Sequence, residues 1–143
     1  MNLVLDCSLE KLEVLVSSIV NDLDEFKIIL LDGDLGTGKT TFVKHLIKSM
    51  GGALDIVSSP TFNLLHTYKV KNYNIAHFDL YRLNHESELY NIGLEEALDT
   101  CITIIEWSDL AKKFIDQNHI KISFEYSTEI DRRNIKIEYI LNK

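Results

Sequence analysis

Proline is almost absent from this chain: one residue, Pro60, among 143. No proline-rich linker, low-complexity tract or internal repeat divides the sequence, so it reads as a single domain over residues 1–143. Cysteine is nearly as scarce. Cys7 and Cys101 stand far apart, without the Cys-x-x-Cys or Cys/His spacing of a zinc site, and a reduced pair is expected. Arginine occurs only as Arg82, Arg132 and Arg133, the only adjacent lysines are Lys112-Lys113, and the formal net charge is -7. Such a chain lacks the basic face that holds a phosphate backbone, so nucleic acid is not expected to bind it directly. Long apolar runs are missing too; none approaches the roughly 20 residues that cross a bilayer. The start, Met1 to Cys7, looks apolar but has no basic residues before a short run. Asp6 also stands where a leader needs a small residue. A soluble, cytoplasmic protein with no membrane partner is expected.

What is present is ordered along the chain. Ser8 suits the cap of a helix with an apolar stripe of Leu9, Leu12, Leu15, Val16, Ile19 and Leu23. Phe26 to Leu31 is a continuous apolar run, as in a strand buried on both faces. Asp32 to Gly38 supplies turn residues, and a helix follows from about Lys39 to Met50, closed by Gly51-Gly52. After a loop around Ser58-Ser59-Pro60-Thr61 come two strand-like segments, Phe62 to Val70 and Tyr73 to Leu80, with a turn at Lys71-Asn72. Short helical pieces are expected at Glu86 to Asn91 and Leu94 to Leu98. A buried strand is expected over Cys101 to Ile105, and a helix capped by Ser108 runs to Ile115. Ile120, Ile122, Phe124 and Tyr126 alternate, as do Ile135, Ile137 and Tyr139, with a turn near Thr128 to Arg133: a closing antiparallel hairpin.

Chemistry concentrates in Gly33-Asp34-Leu35-Gly36-Thr37-Gly38-Lys39-Thr40, followed by Thr41. Gly33, Gly38, Lys39 and Thr40 complete the pattern Gly-x-x-x-x-Gly-Lys-[Ser/Thr]. Glycines let the backbone wrap so that N–H groups point inward at phosphate oxygens, and the helix start adds its dipole. In this pattern Lys39 reaches the β- and γ-phosphates and the Thr40 hydroxyl ligates Mg²⁺. A chance match is the bland alternative, but here a strand precedes the loop and a helix follows it.

Such a site usually needs an acid at a strand end, and two compete. Asp79 ends Tyr73 to Phe78; Glu106 ends Cys101 to Ile105. The second run is the better buried parallel strand, since Tyr73 to Phe78 alternates like a half-exposed one. Glu106 is therefore favoured on the metal side and Asp79 as a water-positioning group, with Lys39 completing the catalytic set. Thr61 has the hydroxyl to sense a γ-phosphate, although a lone Thr after proline is more often a turn residue. Trp107 suits either a pocket-closing ring or the core. The five histidines show no metal spacing and read as ordinary polar or packing residues. Arg132 and Arg133 read as a solvated turn, or as arginines reaching the nucleotide.

Taken together, these segments resemble the TsaE (YjeE) family of small bacterial ATPases. The matching residues are Gly33 to Thr41, Ser59-Pro60-Thr61-Phe62, His77-Phe78-Asp79-Leu80-Tyr81-Arg82-Leu83 and Ile105-Glu106-Trp107-Ser108, in that order. The resemblance implies an ATP-hydrolysing, Mg²⁺-dependent subunit that acts on the TsaB-TsaD pair. That machinery forms N6-threonylcarbamoyladenosine at position 37 of tRNAs reading codons that begin with A, and tRNA would be met only through the partners. It further implies Lys39 and Thr40 for phosphates and Mg²⁺, Glu106 for the metal, and Asp79, Thr61 and Trp107 in a conformationally sensitive region. Ser8 and Arg133 would make the nucleotide's outer contacts.

Three other classes use such a loop. A small P-loop kinase acting on a metabolite is the principal alternative, but three arginines and no lid insertion leave little to hold a second substrate. A GTPase would need an Asn-Lys-x-Asp-type segment, which is absent. A non-hydrolysing nucleotide switch would show no turnover even with its partners. The fold expected is α/β: a three-layer P-loop NTPase fold whose mixed parallel/antiparallel central sheet holds ATP at the carboxyl ends of its parallel strands.

Overall fold

The computed structural model of the protein describes residues 2–53 and 57–142. In chain order these form β1 (Asn2–Cys7), α1 (Leu9–Asn21), β2 (Ile28–Gly33), α2 (Lys39–Ser49), β3 (Leu65–Val70) and β4 (Tyr73–Asp79). Then follow α3 (Ser87–Asn91), α4 (Leu94–Thr100), β5 (Ile102–Glu106), a 3₁₀ helix (Ser108–Phe114), β6 (His119–Tyr126) and β7 (Arg133–Ile140). The strands make one sheet in the order β1-β7-β6-β2-β5-β4-β3. Its centre, β6-β2-β5-β4, is parallel; β3 at one edge and β7 and β1 at the other are antiparallel. The expected mixed sheet is present.

The uninterrupted apolar run of β2 follows from burial on both faces. Ile29 and Leu31 enter a layer with Leu12, Leu15, Val16 and Ile19 of α1 and Phe42, Val43, Leu46 and Ile47 of α2. Ile28 and Leu30 enter the opposite layer with Leu89, Leu94, Leu98 and Ala111. Two helical layers on one sheet give the three-layer architecture. Ser8 caps α1, its hydroxyl accepting from the Lys11 N–H at 3.4 Å. Leu9, expected in the apolar stripe, is 57% exposed instead; the stripe that packs begins one turn later.

Three local expectations are corrected. β4 is not half-exposed: it lies between β3 and β5, and Ile75 to Asp79 are all buried. Inside the protein, His77 Nε2 bonds Glu106 and the Asp79 carboxylate accepts from Thr61 and Tyr81, while Asn74 alone of this strand is exposed. Ser108 is not a helix cap. Trp107 takes the cap position in a left-handed conformation (φ 57°), and the Ser108 hydroxyl donates to Asp32 Oδ1 at 3.2 Å. Finally, Asn2–Cys7, read only as a failed leader, is an edge strand paired with β7.

Because β2, β4 and β5 run parallel, their carboxyl ends share one edge of the sheet. Leu31 pairs with Glu106, and Asp79 pairs with the same Glu106 from the other side. The loop from Gly33 to Gly38 leaves this edge to start α2.

Candidate functional site

The loop between β2 and α2 is shaped by glycine where no other residue fits. Gly33 has φ +153°, and a Cβ there would lie 2.7 Å from Thr37 Oγ1 and 2.8 Å from the Phe124 carbonyl oxygen. Gly38, at φ +109°, caps α2 without any side-chain hydrogen bond to its first turn. Those first amides therefore face outward as donors, which is the arrangement that takes an anion. Thr37 is buried and braces the loop, its hydroxyl donating to the Asp34 carbonyl at 2.7 Å.

Lys39 is 5% exposed and lies folded back over this loop. Its Nζ donates to the Gly33 carbonyl at 2.5 Å and sits 4.1 Å from the centre of the Trp107 ring. Burial holds the ammonium below the ordinary lysine pKa, against the opposing pull of Glu106, Asp79, Asp32 and Asp34. A polyphosphate beside it would act in the direction of those carboxylates and favour the charge. Trp107 is placed by its own positive φ, a conformation rare for a bulky residue, and rests on Tyr81 with ring centroids 4.7 Å apart.

The two acids meet at the same place. Asp79 and Glu106 are each 3% exposed and paired in register. Asp79 Oδ2 accepts from the Thr61 hydroxyl at 2.7 Å, and Oδ1 accepts from the Tyr81 N–H at 3.0 Å. Glu106 Oε2 is bound at 2.6 Å by Nε2 of His77, a fully buried ring. From sequence alone His77 reads as an ordinary polar or packing residue. Its signal lies in β-sheet register, where β4 and β5 meet, and no local spacing carries it.

A cavity of about 190 Å³ is bordered by Gly36, Lys39, Thr40, Thr61, Asp79, Glu106 and Trp107. A larger one, about 710 Å³, shares Gly38 and Thr41 with it and extends to Ser8, Asp131 and Arg133. Both ends of the expected site are thus joined through the start of α2. Arg133 lies over the Tyr126 ring at 5.0 Å, and Tyr126 Oη donates to the Leu35 carbonyl at 2.7 Å, tying the β6–β7 hairpin to the loop. Arg132 is turned to Asp6 instead, at 3.0 Å. Asp34 borders neither cavity; its side chain is exposed beside a separate hollow with Asp32 and Glu125.

Among the described residues no group of three or more His, Cys, Asp or Glu is placed to hold a metal alone. The Thr40 hydroxyl and the two carboxylates are hard oxygen donors, too few for a cage. That set suits Mg²⁺, which takes one or two protein oxygens and fills its shell with phosphate and water.

The family model described as "Threonylcarbamoyl adenosine biosynthesis protein TsaE" matches residues 7–135. The chain belongs to the TsaE family. A protein of Rickettsia bellii named tRNA threonylcarbamoyladenosine biosynthesis protein TsaE is 46% identical over 114 residues, 78% of each chain. Relatives of the same name are 42% identical in Rickettsia felis, over 86% of this chain and 72% of that one, and 32% identical in Bacillus subtilis, over 81% and 72%. The crystal structure of Bacillus subtilis YdiB superimposes with a TM-score of 0.69 at 21% identity, over 96% of this chain and 84% of that chain. All segments of the candidate site from the Gly33–Gly38 loop to Arg133 fall inside the span matched to TsaE.

Proposed function

We propose that this TsaE-family chain binds ATP with Mg²⁺ and hydrolyses its β–γ bond in support of threonylcarbamoyladenosine formation on tRNA, acting with the TsaB-TsaD pair. One observation carries the reading: Lys39, Thr40, Asp79 and Glu106 border a single cavity at the mouth of a glycine-wrapped helix start. The name its relatives carry supports the pathway.

The residues divide the work. Loop amides and the α2 N-terminus cradle the phosphates, while Ser8 and Arg133 border the larger cavity that suits the nucleoside. Lys39 leaves the Gly33 carbonyl and the Trp107 face for the β- and γ-phosphate oxygens, where its charge offsets what develops during bond cleavage. Thr40 and Glu106 are the groups that would hold Mg²⁺, which when bound neutralises charge on the β- and γ-oxygens. Asp79 orients the attacking water and, through Thr61 and Tyr81, ties that water to two loops. Loop rearrangement on partner contact then tightens the site, which makes turnover partner-dependent. The acidic chain leaves tRNA to its partners.

The test is threonylcarbamoyl-tRNA formation in a reconstituted system of TsaB, TsaD and activated threonylcarbamoyl donor, with and without this protein. Dependence on the protein and on ATP is expected. Formation that proceeds equally without it overturns the proposed role.

A further inference from the structure

His77 is fully buried, ionisable, and used by nothing described so far except its bond to Glu106. It stands on β4 opposite Ile104 of β5, two residues before Asp79. Ile75 and Ile104 enter the α1/α2 layer, so the strand period of two puts His77, Asp79 and Glu106 on that same face. His77 Nε2 lies 2.6 Å from Glu106 Oε2, and neither residue is more than 3% exposed. Its other nitrogen, Nδ1, is buried with no partner among the described residues.

That orphan decides the proton. A neutral imidazole carries one N–H. With the proton on Nε2, the ring donates to Glu106 Oε2 and leaves a bare lone pair at Nδ1. With the proton on Nδ1, a buried N–H goes unsatisfied, and the 2.6 Å contact requires a protonated Glu106. Orphaned buried N–H groups are the rarer and costlier defect. Of the two neutral tautomers, the Nε2–H form, donating to Glu106 Oε2, is the one that leaves no orphaned N–H.

We propose that His77 is a positioning residue that pins Glu106 Oε2 inside the sheet, so that Oε1 alone is offered to the metal–nucleotide complex. Glu106 borders the phosphate cavity, and Oε1 makes no hydrogen bond among the described residues. Asp79, by contrast, has both oxygens engaged by loop groups. The inference rests on the Mg²⁺–ATP reading above and adds which atom meets the metal and what aims it. Partners that orient a metal ligand in this way change metal affinity about 10–100-fold when lost.

Two side chains separate the positioning role from bulk packing. His77→Gln carries an amide nitrogen to the reach of Nε2; His77→Asn is one methylene shorter and stops near the place of Nδ1. For both variants and the parent protein, a fluorescent ATP analogue is titrated in EDTA and then against rising Mg²⁺. His77→Asn is expected to bind the analogue in EDTA as the parent does and to need about 10–100-fold more Mg²⁺ for half-maximal enhancement. His77→Gln should restore most of that loss. In the nucleotide-free parent, ¹⁵N-histidine NMR at neutral pH is expected to show the His77 proton on Nε2. That readout stands even if His77→Asn fails to fold. A proton on Nδ1, an unshifted Mg²⁺ requirement in His77→Asn, or equal impairment in both variants overturns the inference. A parent protein whose nucleotide binding ignores Mg²⁺ overturns the reading beneath it and the inference together.

Discussion

Asp79 and Glu106 are neighbours in register and equally buried, yet they are held from opposite sides. Asp79 is gripped by the Thr61 hydroxyl and the Tyr81 N–H, both from loops whose outer residues, Phe62 and Tyr81, are 84% and 51% exposed. Glu106 is gripped by His77 from within the sheet. One wall of the cavity therefore leans on loops that reach the surface, the other on the core. Low-stability segments open at little cost, and core strands open only near the full unfolding free energy. The site thus has a wall that opens at little cost and a wall that keeps its geometry.

Lys39 serves both walls, so its loss should erase the comparison. Lys39→Ala is expected to cost about 10²–10³-fold in kcat/KM for ATP, measured by phosphate release with partners present. Unchanged turnover would remove the phosphate loop from the reaction. Next, Glu106→Gln keeps the shape and loses the charge; a fall in kcat of about 10–100-fold with a raised Mg²⁺ requirement is expected. Partner proteins should not rescue it, because the rigid wall has nothing to rearrange. Thr61→Val removes one hydrogen bond to a charged acceptor and should cost about tenfold in partner-stimulated turnover. Its basal, partner-free rate should barely move, and an equal loss in both assays would make the loop wall as static as the other.

The smallest effect concerns stability. Burial depresses the Lys39 pKa, so the unfolded chain holds that proton more tightly than the fold does. Stability of the nucleotide-free protein should then climb as pH rises from the folded-state pKa toward the ordinary lysine value. Lys39→Met should flatten that climb and raise the melting temperature at neutral pH, by about 2–4 °C for each kcal/mol recovered. A lower melting temperature in Lys39→Met would mean that the carboxylates and Trp107 more than offset the burial of the charge.

The parts of this site that were legible in the sequence are those whose physics is local. The loop between β2 and α2 carries its glycines, a lysine and a hydroxyl at fixed spacing on one turn, and the apolar run of β2 announces its two-sided burial before it. Ser8 was likewise readable as a cap, since a cap acts within one turn. Features decided by long-range pairing were not. His77 meets Glu106 across 29 residues, and its polar character made β4 look solvent-facing. Ser108 turns to Asp32, 76 residues away, instead of capping the next helix. β1 has no signal apart from β7, its partner at the far end of the chain. Even the preference for Glu106 over Asp79 on the metal side turns on strand burial, and the two acids are equally buried; what separates them is the partner each carboxylate holds.

Amide hydrogen exchange tests the two-wall account most directly. It is followed at residues 61–64 and 81–83 on one wall and 102–106 on the other, with the full chain, with and without Mg²⁺–ATP. Protection is expected to rise in the two loops and to remain high and unchanged in β5. Equal gains in both walls, or a change confined to β5, would contradict it.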